Sequence, residues 1–205
     1  MRVITEQEQF WAGEFGNEYT HRNQIDAEHR QPFFRQILQQ TPNVKTLCEL
    51  GANRGHNLAA IASIHPEIHL TGVEINPTAL AELQKVCGSG AIQSSIQEFQ
   101  PKQSFDLVFT CGVLIHLNPD DLPEIYQKLY DLSDRYILMN EYFNPTPVEL
   151  EYRGNQGKLF KRDFAGEFLS HHGDRIQVMD YGFLWKVLHP TWDNTVWTLF
   201  EKCTS

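Results

Sequence analysis

The chain reads as an α/β protein with a mostly parallel sheet, closed by an antiparallel hairpin and preceded by helices. Three observations lead there. Short apolar runs alternate with segments of helical period from residue 44 to residue 143. A glycine-bearing turn joins the first apolar run to the first of those helices. The last two apolar runs follow one another with no helix between them. Strands alternating with helices imply a parallel sheet covered on both faces, since parallel strands need crossover connections. Two strands joined by a short connection imply an antiparallel pair.

Residues 1–43 form an N-terminal helical cap, and residues 44–205 form one compact unit. Phe10, Trp11, Phe15 and Tyr19 lead the cap, and Phe33, Phe34, Ile37 and Leu38 recur at helical spacing within residues 26–40. Pro42 and Asn43 break the chain. Strands are predicted over residues 44–50, 68–75, 91–94, 105–110 and 135–143, and helices over 56–63, 78–86 and 120–132. Asn76 and Pro77 make a helix start, a side-chain cap followed by proline in the first turn. A further helix is predicted over 164–171 and the closing strands over 175–187 and 195–202, with Pro190 and Asn194 between them.

Composition excludes several classes. The 205 residues are 41% hydrophobic and 21% charged, ordinary for a globular domain and unlike a disordered or collagen-like chain. Twenty-six acidic against 17 basic residues give a net charge of −9, which repels phosphate backbones and argues against a nucleic-acid partner. The longest mostly apolar stretch, residues 107–117, falls far short of the ~20 residues of a membrane-spanning helix. No membrane partner is expected. The opening MRVITEQEQFW lacks the charged-then-apolar order of a signal peptide, so a cytoplasmic location is expected. Cys48, Cys87, Cys111 and Cys203 contain no CxxC pair and read as reduced. His171 and His172 diverge on a helix and no metal-spaced cysteine set occurs, so no metal is expected.

The turn ELGANRGH, residues 49–56, lies where an α/β sheet holds a ligand, at the carboxyl end of a strand. Gly51 allows a tight turn, and Gly55 removes a Cβ between ligand and helix. Glu74 ends the second strand, 19 residues beyond Gly55, where a carboxylate accepts hydrogen bonds from both hydroxyls of a ribose. The pattern is ExGxxxG and not the GxGxxG of a dinucleotide site. An acid two residues before the first glycine repels a pyrophosphate and suits the ammonium of an amino-acid moiety. The turn reads as a nucleoside site.

These residues resemble the first motif of class I S-adenosylmethionine-dependent methyltransferases. GVEIN (72–76) resembles their ribose-binding second motif, and FDLVFTCGVLIHL (105–117) their fourth-strand motif, with Asp106 opening the strand. The likeness implies a Rossmann-like seven-stranded sheet, S-adenosylmethionine as cofactor and S-adenosylhomocysteine as product. The cofactor contacts it implies are Glu49, Gly51, Asn53 and Gly55 in the turn, then Glu74 and Ile75. Cys111 at the fourth strand and Tyr19 of the cap complete them. Ser94, Ser95 and Ile96 stand where the family often has an acid for the adenine amino group, so Ser95 and Ile96 are expected to supply that contact. Residues 8–23 (EQFWAGEFGNEYTHRN) and 140–168 (NEYFNPTPVELEYRGNQGKLFKRDFAGEF) resemble a narrower family, the methyltransferases associated with pseudaminic acid biosynthesis. That likeness implies a small polar acceptor.

His116, just past the fourth strand, is either a general base or a cap on the turn before Pro119. Glu141, at the end of the fifth strand, is the second catalytic candidate. With Glu149, Glu151, Glu14 and Glu18 it forms either a cluster favouring a cationic acceptor or a set of solvated charges. Arg153, Lys158, Lys161 and Arg162 make a basic island beside Gly154 and Gly157. Arg153 and Lys161 either grip a carboxylate or phosphate of the acceptor or are solvated. Trp11, Phe15 and Tyr19, four residues apart, form a face that either closes over the ligands or packs on the sheet edge. Trp11 and Phe15, with Tyr142, Tyr152 and Phe160, are the candidate acceptor lining. The expected reaction is methyl transfer to a small molecule, with an amine or guanidine favoured. Methylation of a sugar or nucleotide sugar, and non-catalytic nucleoside binding, are the alternatives. A monomer or homodimer is expected.

Overall fold

The computed structural model describes residues 2–203. The N-terminal segment forms α1 (Glu6–Ala12), α2 (Glu14–Arg22), a 3-10 turn (Ala27–Arg30) and α3 (Gln31–Gln40). Thr5 and Glu8 make a reciprocal capping box at the start of α1. β1 (Thr46–Leu50), α4 (His56–Ile64), β2 (His69–Glu74), α5 (Pro77–Cys87) and β3 (Ala91–Gln93) follow. Then come β4 (Phe105–Cys111), α6 (Leu122–Leu132) and β5 (Ser133–Glu141). After an excursion the chain closes with α7 (Phe164–His172), β8 (Ile176–Leu184) and β9 (Thr195–Lys202).

The seven strands lie in the order β3-β2-β1-β4-β5-β9-β8. Pairings among β1 to β5 are parallel, while β9 is antiparallel to both β5 and β8. This is the sheet expected from the sequence. Apolar residues occur on both sides of each central strand because both faces are covered. Leu47, Leu107, Phe109 and Leu138 pack with Phe34 and Ile37 of α3, Leu58 and Ile61 of α4 and Leu83 of α5. Cys48, Val108, Ile137 and Phe200 pack with Ile125 and Leu129 of α6 and Phe168 of α7. The four apolar residues of α3 therefore belong to the core of the sheet.

Several element boundaries differ from expectation: the strand anticipated over 44–50 starts at Thr46, and the one over 175–187 ends at Leu184. The helix anticipated from residue 120 opens as a 3-10 turn (Pro119–Asp121), and α6 starts at Leu122 with Pro123 in its first turn. The strand anticipated over 135–143 runs two residues earlier and ends at Glu141. A larger difference is the excursion itself. Residues read as a basic loop form a separate hairpin, β6 (Val148–Tyr152) with β7 (Asn155–Lys161). β6 (VELEY) alternates apolar and polar residues at strand period, so a signal is present there, but the lysines and glycine of β7 (NQGKLFK) break the pattern in its partner.

The carboxyl ends of β1, β2, β4 and β5 open on one edge of the sheet, and the N-terminal helices and the hairpin meet above it. Asn76 Nδ2 donates to the Trp11 carbonyl at 3.1 Å and to Asn17 Oδ1 at 2.9 Å. Gln7 Nε2 donates to the Gly157 carbonyl at 2.9 Å, and Lys158 Nζ stands 3.3 Å from Glu6 Oε2. At the opposite edge, Asp106 accepts from the Lys45 and Thr46 N–H groups, both at 2.8 Å, fixing the start of β4 against β1.

Candidate active site

A cavity of about 850 Å³ opens along this edge, in the upper part of the ~300–1,000 Å³ range of small-molecule pockets. Its floor is the turn after β1. Gly51 has φ +75°, and a Cβ there would stand 2.4 Å from Val113 Cγ2, so only glycine fits. Gly51 and Ala52 both donate to the Val73 carbonyl at 2.9 Å. Glu74 Oε2 accepts from the Asn53 N–H and Oε1 from the Asn76 N–H, each at 2.7 Å. Burial raises the Glu74 pKa while these backbone bonds lower it, and burial wins. Gly51, Asn53, Glu74 and Ile75 all line the cavity.

Gly55 does not line it. At φ +80° it starts α4, and a Cβ would meet Leu83 Cδ1 at 2.8 Å, so its role is to let α4 pack on α5. Glu49 is buried on the cavity wall; Oε1 accepts from Asn57 Nδ2 at 2.6 Å and Oε2 has no partner. Burial pushes this carboxyl up to about 8. Sequence reading missed two neighbours. Arg30 Nη1 donates to Asn57 Oδ1 at 2.6 Å and Nη2 to the Thr191 carbonyl at 3.2 Å. Its guanidinium lies 4.0 Å over the Trp192 ring, and its Nε is unpartnered. Among the described residues no carboxylate pairs with this buried cation. Asn57 was findable, two residues past Gly55 in the first turn of the helix. Arg30 carries no local signal, because only the tertiary fold brings its 3-10 turn to β1.

At the far end of the cavity Ser95 and Ile96 follow β3. The Ser95 hydroxyl accepts from the Glu98 N–H at 3.2 Å and from Arg2 Nη2 at 3.3 Å. Arg2 is bidentate on Glu8, at 2.7 and 2.6 Å. Burial opposes ionisation of Glu8, yet the Arg2 and Thr5 hydrogen bonds outweigh it and hold the carboxyl at about 2.

The remaining wall is aromatic. His116 is buried, and its ring centroid lies 4.4 Å from that of Trp11 and 5.0 Å from that of Tyr152. His116 Nδ1 stands 2.7 Å from the Lys158 carbonyl. A carbonyl only accepts, so Nδ1 carries the hydrogen and Nε2 keeps its lone pair. Burial brings the imidazole down to about 4. Tyr19, Cys111, Tyr142, Tyr152 and Arg153 also line the cavity, and Tyr142 donates to Asp193, which pairs with Lys186 at 2.8 Å. Burial raises the Tyr19 phenol well above its ordinary range.

Three other candidates lie elsewhere. Phe15 stacks on Phe10 at 4.1 Å and packs behind Tyr152 at 5.7 Å, away from the cavity. Lys161 lies 4.9 Å over the outer side of the Tyr142 ring and does not line the cavity. Glu141 is 3% exposed and accepts from the Val113 and Leu114 N–H groups at 3.2 Å. It holds the loop after β4, its Oε2 has no partner, and it is not in the cavity lining. Glu14, Glu18, Glu149 and Glu151 are not in the lining either. Glu149 instead accepts from the Gly157 N–H at 2.7 Å within the hairpin. The cluster that favoured a cationic acceptor does not form.

Among the described residues no group of three His, Cys, Asp or Glu side chains is arranged to hold a metal, and no helix is long and apolar enough to cross a membrane. The four cysteines are free.

Burial brings the Glu141 carboxyl up to about 7, against which its backbone bonds act. A pKa raised above its ordinary 4.5 stabilises the fold fully below that value, and the contribution is lost as pH rises through 7. Glu141→Gln keeps an acceptor oxygen and removes the titration. Urea unfolding between pH 5 and 7 should then show a shallower fall in stability than the wild type; an unchanged slope assigns the dependence elsewhere.

Residues 48–134 match the family model described as a methyltransferase domain. A trans-aconitate 2-methyltransferase of Escherichia coli is 26% identical over 149 residues, covering 66% of this chain and 59% of that protein. The same enzyme of Escherichia fergusonii is 28% identical over 168 residues, covering 74% and 66%. The chain thus spans about three fifths to two thirds of the length of these relatives. Among solved structures, the 1,6-didemethyltoxoflavin-N1-methyltransferase of Burkholderia thailandensis aligns with a TM-score of 0.69 at 12% identity, over 100% of this chain and 93% of that one. Magnesium protoporphyrin IX methyltransferase of Synechocystis, with S-adenosylhomocysteine bound, aligns with a TM-score of 0.66 at 15% identity, over 96% and 98%. The chain therefore has the Rossmann-like fold of the S-adenosylmethionine-dependent methyltransferases, with a methyltransferase-domain sequence across its β1–α6 core.

Proposed function

We propose that this protein transfers a methyl group from S-adenosylmethionine to a small molecule. The observation that carries this is Glu74, a buried carboxylate at the end of β2 that anchors a glycine cradle beneath the cavity. Each Glu74 oxygen takes one N–H bond, which leaves lone pairs for the two hydroxyls of a ribose. Glu49 offers an unpartnered oxygen to the ammonium of the cofactor, and Arg30 an unpaired guanidinium to its carboxylate. Ser95 and Ile96 border the place for adenine. When bound, the cofactor supplies a methyl group on a positively charged sulfur.

The chain's own contribution is orientation and exclusion of water. Trp11, His116 and Tyr152 form a wall from which water is displaced when the acceptor enters. His116 Nε2 accepts a hydrogen bond from the O–H or N–H of the acceptor and turns its lone pair inward. His116 Nε2, or water, would take the proton that the acceptor gives up on methylation. The acceptor-side segments, α1, α2 and the β6–β7 hairpin, are those that resemble the pseudaminic acid-associated methyltransferases, which supports a small polar acceptor.

Titration calorimetry with S-adenosylhomocysteine tests this. Glu74→Ala should weaken binding by about 1–3 kcal/mol through lost ribose bonds; equal affinity would remove the ribose from this position. At pH 7 the Glu49 carboxyl, raised to about 8 by burial, is mostly protonated, and an ammonium beside it drives the proton off. Binding enthalpies in phosphate and Tris should therefore differ in the sense of proton release, and Glu49→Gln should abolish the difference. His116→Ala should lower kcat and leave S-adenosylhomocysteine affinity intact. Because its imidazole stays neutral down to about pH 4, the wild-type rate should show no histidine limb near pH 6.5. Parallel loss of cofactor affinity in His116→Ala would assign the residue a structural role.

A further inference from the structure

The charges around the cavity are unequal in how well they are matched. Five carboxylates line it: Glu8, Asp26, Glu49, Glu74 and Asp193. Glu8 is held by Arg2, Asp193 by Lys186 and Tyr142, and Glu74 by two backbone N–H groups. Asp26 caps the Glu28 N–H at 2.9 Å, and burial favours the neutral form of Glu49. Of the three arginines on the wall, Arg22 pairs with Glu18 at 3.1 Å. Arg30 and Arg153 have no carboxylate partner among the described residues. Arg30 and Arg153 are thus the wall's arginines that no carboxylate holds in an ion pair.

Arg153 stands at the hairpin tip, next to Tyr152 and hence on the His116 side of the cavity. Its backbone is unusual. Tyr152 pairs directly with Asn155, so Arg153 and Gly154 form a two-residue turn with φ +50° and +81°. Such a turn favours asparagine followed by glycine, and a long side chain at the first position opposes the local backbone preference. An arginine kept where asparagine suits the backbone better points to a use for its guanidinium.

We propose that the methyl acceptor is a small oxyanion, a carboxylate or phosphate ester, held by the Arg153 guanidinium while its nucleophilic atom lies at His116. This rests on the methyltransferase reading, with Arg30 assigned to the cofactor and Arg153 left for the acceptor. Planar guanidinium matches either anion through two parallel N–H bonds. A neutral His116 adds no charge to that attraction.

The test is titration calorimetry on the full chain, with and without saturating S-adenosylhomocysteine. One panel holds mono-, di- and tricarboxylates, a second sugar phosphates, and a third polyamines and guanidines. At least one oxyanion should bind, the first two panels distinguishing carboxylate from phosphate, and the amines should not. Arg153→Asn, which suits the left-handed turn, should keep the wild-type Tm and S-adenosylhomocysteine affinity while losing oxyanion affinity about 10–100-fold; Arg153→Lys should recover part of it. Binding of amines alone, of no panel member, or of oxyanions equally by Arg153→Asn overturns the proposal. Absence of S-adenosylhomocysteine binding in the wild type overturns the methyltransferase reading instead, and the titrations without it still judge Arg153.

Discussion

One buried carboxylate organises the open edge of the sheet. Glu74 is 7% exposed, and a charge withdrawn from water that far is tolerated only when strong donors replace the lost hydration. The donors are the backbone N–H groups of Asn53 and Asn76, from two different loops. Their shapes are therefore set together. Asn76 passes the constraint on: its side-chain Oδ1 caps α5 by accepting from the Thr78 and Ala79 N–H groups, and its Nδ2 donates to the Trp11 carbonyl and to Asn17 Oδ1. Trp11 in turn packs on His116. A continuous series of contacts thus runs from the nucleoside end of the cavity to the wall where an acceptor would react.

The acceptor wall is assembled from segments distant in the chain. α1 supplies Trp11, the loop after β4 supplies His116, and the hairpin supplies Tyr152. The joint between the last two is one hydrogen bond, His116 Nδ1 to the Lys158 carbonyl, which also selects the tautomer. Removing the hairpin contact would free the ring and admit water. Val148 and Leu150 of the hairpin are each more than a third exposed. Its position relies on Leu159 against the core, on Tyr152 against Trp11 and His116, and on polar contacts with α1.

What sequence reveals and what it hides divide along the same physical line. The turn after β1 and Glu74 were legible because a tight left-handed bend and a strand end are local properties, written in neighbouring residues. The sheet was legible because a buried parallel strand is a short apolar run. Arg30 was invisible: an arginine near the end of a polar segment looks like any solvated one until α3 docks and carries it to Asn57. Glu141 misled for the opposite reason. It sits at a strand end suited to catalysis, but Val113 and Leu114 turn their N–H groups to its Oε1 and the side chain is buried outside the cavity lining. The hairpin was hidden because the alternation of β6 is short and the charges and glycines around it read as a loop.

Charge shows the same distinction most clearly. With a net −9 over the chain, composition suggests a site hospitable to cations. Local field depends instead on which charges remain unmatched in a confined volume. Glu149 and Glu151, two apart on β6, share one face of the strand and are exposed, where water screens them. Glu14 and Glu18 likewise point outward from α2. Arg30, one guanidinium 8% exposed with no ion pair, acts on the cavity through little intervening solvent. The charge a ligand meets is therefore set by Arg30, Arg153, Glu49 and Glu74 on the cavity wall, and not by the net charge of the protein.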